Sequence, residues 1–446
     1  MPKLAAIMSA VIWGSGQLYN KQPIKAAFFF LIQVLFIFVE FSTGTWAILT
    51  GQTYAHFRNA GFFSSGIWGI ITLGEIARVN PRVEIFDHST MLMLGGLIAI
   101  LVLLGFAIFY IWNIRDAYHT RKKLMAGDEE SSLTYLKNVV SNSFEYIAIT
   151  PGLILLSFFS FIPIMYAFLT AFTNHNVMSL PPVNPPVSLV DWVGFATFRQ
   201  VFNIPVWNRT LVGVFAWTVV WAFAATFTSF LVGFIQALLI NSKLVKFPKL
   251  WRGLFILPWA IPGFISMLLF RNFFVAHGVV NQLLLQFGII DHWISFYGSV
   301  GWSRAIVIIV NMWLGFPYFM ALVSGIMTSL NMEIYEAASI DGATSFQQLR
   351  YLTIPTILSA VAPLLIMSVA HNFNNFAIIY FVTEGGPANI NYMRAGSTDI
   401  LITWVYRLTV DYRMYNFASV MSVFIFIVVA SVSGWNLLRT RAFKED

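Results

Sequence analysis

The 446-residue chain is 58% hydrophobic and only 10% charged, against about 25% charged in an ordinary soluble domain, and in water its 44 Phe and 15 Trp would leave large apolar patches. It has no cysteine, which removes disulfides and thiolate metal sites. Its net charge of +7 comes from Lys and Arg in short segments between long apolar runs, a placement that marks membrane orientation and excludes a nucleic-acid-binding stripe.

In chain order, Leu4 to Trp13 comes first. It is too short to span a bilayer and has no convincing cleavage site before Gly14-Ser15-Gly16-Gln17, so it is expected to be a retained interfacial or re-entrant segment. About eight stretches then meet the need for about 20 mostly apolar residues per spanning helix: 25–50, 91–116, 145–172, 211–240, 253–275, 305–330, 354–383 and 417–438. The expected fold is an all-α integral membrane protein, with an N-terminal region 1–144 holding two spans and a K/R-rich inner loop, and a six-helix core over 145–446. Placing both termini inside puts roughly 16 basic residues in inner segments and roughly 10 in outer ones. The dense clusters at 121–137 and 243–252 then fall on the inner side. Asp128-Glu129-Glu130 beside Arg121-Lys122-Lys123 reads as a solvated inner loop. The segment with Pro181-Pro182 and Pro185-Pro186 reads as an extended linker, too short for a conventional domain.

Two spans carry polar faces. Asn311, Gly315 and Tyr318 share a face at i, i+4 and i+7, with Pro317 able to bend the helix. Ser368, His371, Asn372 and Asn375 fall within about 100° on a helical wheel. Such residues serve either as interhelical hydrogen-bond links, about 0.6 kcal/mol each, or as the wall of a polar cavity. A sugar site would need amides and hydroxyls together with aromatic faces, and Trp313, Tyr318, Phe373, Phe376 and Tyr380 supply the aromatics.

Between those spans, residues 331–355 read as helix, turn, helix. Asn331 can cap the first helix and Gly342 can take the left-handed turn that ends it. Ser345 with Gln348 fits a capping box opening the second, and Pro355 marks entry into the next span. Glu336-Ala337-Ala338, Gly342 and then Leu352, Ile354 and Pro355 resemble the E-A-A, G, I-x-L-P loop of bacterial ABC importer permeases, departing only by volume-conserving swaps at Leu352 and Ile354. In that family the loop docks as a coupling helix on an ATPase subunit. The chain itself has no Gly-Lys dipeptide and so no phosphate-cradling loop of the ATPase type.

The segments Asn311-Met312-Trp313-Leu314-Gly315-Phe316-Pro317-Tyr318 and Ser368-Val369-Ala370-His371-Asn372-Phe373-Asn374-Asn375-Phe376 look like paired segments of the larger permease subunit of maltose and maltodextrin importers. Thr383-Glu384-Gly385-Gly386-Pro387 resembles the T-x-G-G-P turn of carbohydrate importers. This resemblance implies a type I ABC importer permease fold in a bacterial cell membrane. The implied sugar contacts are Asn311, Gly315, Tyr318, Ser368, Asn372 and Asn375, with His371 standing where a Phe is expected. It further implies no catalytic residue, metal or cofactor in this chain, with Mg-ATP used by a dimer of partner ATPases. The other implied partners are a second homologous permease, an extracellular or periplasmic sugar-binding protein and an oligosaccharide substrate.

Three rivals make different demands. An ion-coupled secondary transporter calls for intramembrane carboxylates, and the spans are nearly free of them, with Glu40 in the first and Glu145 at the edge of the third. A membrane enzyme calls for clustered Asp, Glu or His, which is not seen near His371. A glycerol-phosphate-type cargo calls for Arg or Lys on the polar faces, which carry none.

Overall fold

The computed structural model describes residues 1–44, 60–75, 87–127, 144–176, 189–242 and 245–439. The acidic run 128–130, the proline-rich stretch 181–186 and the last seven residues lie outside these, as does the end of the first expected span beyond residue 44. The chain divides into two compact units, Met1–Phe195 and Ala196–Asp446.

In the first unit, α1 (Pro2–Val11), α2 (Ser15–Tyr19) and α3 (Pro23–Thr43) follow one another closely, with Pro2 and Pro23 at helix starts where no N–H is needed. α4 (Phe62–Thr72) and the long α5 (Ser89–Met125) come next. α6 (Phe144–Leu156) and α7 (Ile162–Thr170) are joined through a π-helical turn at Ser157–Phe161 into one apolar run. The 4–13 segment is therefore helical as far as Val11, and this helix packs on α5. The turn after α1 requires glycine: Gly14 has φ +86°, and a Cβ on Gly16 would lie 2.1 Å from the Ala5 carbonyl oxygen. Close approach buries a polar joint, in which Gln17 Nε2 donates to the Asn113 carbonyl at 2.8 Å and Lys25 Nζ meets Asp116 at 3.3 Å. Glu40, inside α3, has a structural use. Its carboxylate accepts the Phe63 N–H at 2.8 Å and the Ser64 hydroxyl, so it satisfies donors at the start of α4 and complements the helix dipole.

The second unit runs through α8 (Ala196–Asn203), α9 (Pro205–Ile240), α10 (Pro248–Ala260), α11 (Gly263–Phe273), α12 (Val279–Gln286), α13 (Val300–Thr328), α14 (Met332–Ile340), α15 (Ser345–Gln348), α16 (Ile354–Phe373), α17 (Phe376–Thr383), α18 (Leu401–Val410) and α19 (Tyr415–Arg439). Its centre is the α9–α13 pair. A Cβ on Gly233 would lie 2.6 Å from the Phe316 carbonyl oxygen, so the small residue lets the two backbones approach. One buried cluster joins Trp217, Trp221 and Ala225 to Ile306, Val307 and Val310 and to Ile378, Ile379 and Val382. A second joins Phe230, Ala237 and Ile240 to Phe319, Met320, Ile357 and Val361.

Among the described residues, six helices or fused runs are long and apolar enough to cross a membrane, or seven if α10 and α11 count as one bent span. Each of the eight expected stretches holds helix, but two are not simple rods. The 253–275 stretch bends by 87° between α10 and α11, where Pro262 withholds a backbone donor. The 354–383 stretch breaks between Phe373 and Phe376. The break falls at consecutive asparagines, whose amides compete for backbone hydrogen bonds and favour helix ends.

Candidate functional site

The break after α16 gathers the polar residues of the two expected faces. α16 ends with the Asn372 carbonyl accepting Trp221 Nε1–H from α9 at 2.9 Å, while Asn372 Nδ2 donates to Thr226 Oγ1 at 2.9 Å. Asn375 is the first residue of the α17 cap, yet its side chain makes no capping bond. Instead, Asn375 Nδ2 donates to Asn311 Oδ1 and to Asn372 Oδ1, each at 3.3 Å. Asn311 on α13 donates in turn to the Ala225 carbonyl and to Ser229 Oγ, both at 3.3 Å. Asn311, Asn372 and Asn375 thus form one amide cluster with a wall supplied by α9.

The other expected residues sit around this cluster in different ways. Gly315 lies where a Cβ would come within 2.7 Å of Ser229 Oγ, so glycine there permits α13 to press against α9. Tyr318 is partly exposed, and its ring stacks 6.4 Å from that of Trp259, whose Nε1–H donates to the Leu314 carbonyl at 3.0 Å. Ser368 is half-buried, and His371 is exposed on α16. A wheel drawn through an unbroken helix does not describe Asn375, which lies beyond the break. Sequence reasoning missed Trp221, Thr226 and Ser229. Their signal was present as a stripe of small and polar residues at helical spacing along the fourth span, Thr218, Ala222, Ala225, Thr226, Ser229 and Gly233.

The 331–355 segment is the helix–turn–helix expected. Asn331 Oδ1 accepts the Glu333 N–H at 2.9 Å to open α14, and Gly342 has φ +83° at the turn. The capping box lies one residue earlier than predicted. Thr344 and Gln347 exchange the bonds, with Gln347 Oε1 accepting the Thr344 N–H at 2.7 Å and Thr344 Oγ1 the Gln347 N–H at 3.3 Å. Thr344 takes the role because it is the residue with extended backbone, φ −70° and ψ 157°, which a cap requires. The two short helices are tied together: Gln348 Nε2 donates to Ser339 Oγ at 2.8 Å, and the Tyr335 and Thr353 hydroxyls meet at 3.0 Å. Outward from this knob point Ile340 (86% exposed), Phe346 (68%) and Tyr351 (67%). Glu336 and Ala337 are exposed, Ala338 is half-buried and Pro355 is exposed in the first turn of α16. A π-helical turn, Leu349–Thr353, fuses α15 to α16, so a single 29-residue run, Ser345–Phe373, starts in the knob and ends at the amide cluster.

Residues 229–437 match the family described as the binding-protein-dependent transport system inner membrane component. Along its whole length the chain is 37% identical to the galactooligosaccharide transport system permease protein of Bacillus subtilis, over 99% of this chain and 98% of that protein. This chain belongs to that permease family. The permease is also 33% identical to the maltodextrin transport system permease of B. subtilis, over 100% of this chain and 97% of the relative. To the maltose/maltodextrin permease of Salmonella typhimurium it is 35% identical, over 56% of this chain and 49% of the relative. Among solved structures, a chain of a bacterial ABC transporter involved in alginate import aligns with TM-score 0.55 and 23% identity, covering 70% of the permease and 99% of that chain. This last likeness concerns the fold alone. The resemblance first read in 331–355 and in the two polar spans is thus a resemblance of the whole chain to ABC importer permeases. Among the described residues, no group of three or more His, Asp or Glu side chains could hold a metal ion.

One further polar feature lies near the cluster. The loop from α17 to α18 folds back on itself around Asp399, which accepts the Gly396 N–H at 2.7 Å and an Arg407 N–H at 3.0 Å through Oδ2. Burial pushes the Asp399 carboxyl above its usual value, against the opposing pull of the Gly396 N–H and the Arg407 guanidinium.

Proposed function

We propose that this permease forms half of the translocation path of an ATP-driven importer of neutral oligosaccharides, working by alternating access. It binds and conducts, and ATP hydrolysis belongs to a partner chain. The observation that carries the reading is the fused run Ser345–Phe373, about 40 Å long at 1.5 Å per residue, which has the knob at one end and Asn372 at the other. A push on the knob becomes a displacement at the amide cluster because a packed helix moves as a rigid element. The knob's uncovered apolar residues, Ile340, Phe346 and Tyr351, support a docked protein partner on the inner face, since a large exposed apolar patch calls for a cover. In this reading that partner is a dimer of ATP-binding subunits, Glu336, Ala337, Ala338, Gly342 and Pro355 line the contact, and both termini are cytoplasmic.

The sugar site is assigned to Asn311, Gly315, Tyr318, Ser368, His371, Asn372 and Asn375. The amide bonds within the cluster are long, at 3.3 Å, so they are weak enough to exchange for sugar hydroxyls. Tyr318 and Trp259 offer ring faces for the sugar's C–H surfaces. Arg and Lys are absent from this set, which favours an uncharged cargo over a sugar phosphate. The relatives named for galactooligosaccharides and maltodextrins support an oligosaccharide. A second permease and a sugar-binding protein complete the assembly.

The test is reconstitution of the permease with its second permease and ATPase in proteoliposomes, followed by uptake of labelled maltotriose and of a β-linked galactotriose presented on the binding protein. ATP-dependent uptake of one of them is expected. Uptake that persists without ATPase subunits but collapses with an ion-gradient uncoupler would replace this reading with a secondary transporter.

A further inference from the structure

A separate cleft of about 250 Å³ is lined by Tyr380, Glu384, Asp399, Thr403, Arg407 and Asp411. None of these belongs to the amide cluster. The cleft lies between the C-terminal end of α17 and one face of α18, where Thr403 and Arg407 are a helical turn apart. Its walls differ in character. On one side stands Tyr380, whose ring stacks on Phe376 at 4.8 Å and packs against Tyr406 at 5.2 Å. On the other, Arg407 holds Asp399 at 3.0 Å and Asp411 at 3.8 Å, while Glu384 is fixed by Arg271 at 2.6 Å.

Asp399 is incompletely satisfied. Its side chain is fully buried, and Oδ1 finds no hydrogen-bond partner among the described residues, which is costly for a buried polar atom. The charges of the lining groups narrow what the cleft can hold. Arg407 is shared between two carboxylates, so a strongly anionic ligand has no free cation to meet. A metal is disfavoured because no three-ligand group occurs among the described residues. A neutral polyhydroxyl fits both walls: its hydroxyls pair with planar carboxylate and guanidinium groups, and its apolar face lies on an aromatic ring.

We propose that this cleft is a second saccharide subsite, which engages one sugar unit of the oligosaccharide ahead of the amide cluster. It rests on the oligosaccharide-importer reading and adds a station to it. α17 connects the two: Asn375 precedes it and Glu384 follows it, so the stations stand about 12 Å apart along one helix. The TEGGP turn is then part of a binding wall as well as a chain reversal.

The test uses the assembled transporter in nanodiscs with maltotriose and β-linked galactotriose as probes. Saturation-transfer NMR reads binding, and uptake reads KM. Tyr380→Leu, which removes the flat face, and Asp411→Asn, which alters the exposed end of the charged wall, are each expected to weaken saccharide binding about fivefold. Tyr380→Phe should restore wild-type binding. In Asn372→Leu, uptake falls while saturation transfer to the cleft-bound unit persists. Unchanged binding and KM in both cleft variants, with Asn372→Leu impaired, would reduce the cleft to a structural joint and leave the importer reading intact. No saccharide response in the wild type would overturn both. Should Tyr380→Leu fail to assemble, Asp411→Asn decides the matter alone, because it keeps the shape of the side chain.

Discussion

Replacing Gly342 tests whether the knob transmits force to a partner. Its φ of +83° lies in the left-handed region, which costs a residue with a Cβ about 1–2 kcal/mol. Among the described residues, nothing beyond its own chain neighbours lies within 4 Å of where that Cβ would be, so no steric clash adds to this figure. A penalty of that size changes the population of the helix–turn–helix geometry by a factor of about 5–30. It acts on a surface knob, and neither buried cluster of the second unit includes a residue from 331–353, so membrane insertion and thermal midpoint should be nearly unchanged. Gly342→Val, with a branched Cβ, should therefore assemble yet lose most ATP-driven uptake. Gly342→Asn should retain far more, because Asn visits the left-handed region readily. The assay is uptake in proteoliposomes together with binding of the purified ATPase to the permease. Wild-type uptake by Gly342→Val would refute the assignment of the knob as the coupling element, and equal loss in the Val and Asn variants would show that conformation is not the reason glycine is needed.

Other expectations follow from buried pairs and close contacts. Asn372→Leu removes the bonds to Thr226 and Asn375, and uptake should fall or change its saccharide preference while the complex still purifies. Unaltered uptake and selectivity would return these asparagines to a purely interhelical role. Gly233→Val places a Cβ 2.6 Å from the Phe316 carbonyl oxygen and should destabilise the α9–α13 pair by about 3 kcal/mol, seen as a lower thermal midpoint in detergent. Asp116→Leu removes the carboxylate that meets the buried Lys25 ammonium at 3.3 Å and should cost about 3–5 kcal/mol. Combining it with Lys25→Met should recover most of that loss in the same melting assay. Persistence of the full defect in the double variant would show that Lys25–Asp116 is not the source of the cost.

Much of the molecule was legible in the chain because lipid imposes strong, local rules. A bilayer demands long apolar helices, so composition and run length were enough for the class and for the places where helix forms. The knob was legible for a similar reason. Asn331, Gly342 and the Thr344–Gln347 neighbourhood act within a few residues of themselves, and capping chemistry is short-range. Even there, the choice of Thr344 over Ser345 waited on backbone angles that the sequence leaves open.

What the sequence left undecided was how distant segments meet. Spans 354–383 and 253–275 have the composition of continuous helices, but Asn374 ends one and Pro262 bends the other by 87°. The first break sends Asn375 back toward Asn311 and Asn372 in place of a helical face. Trp221, Thr226 and Ser229 join that cluster from α9 across 82 to 151 positions of sequence. Glu40 looked like an intramembrane carboxylate until the fold set the start of α4 against it. In each case the deciding energy is a hydrogen bond or a close packing contact between remote residues in a medium that offers no water as an alternative partner. Such contacts exist only once the tertiary structure has formed.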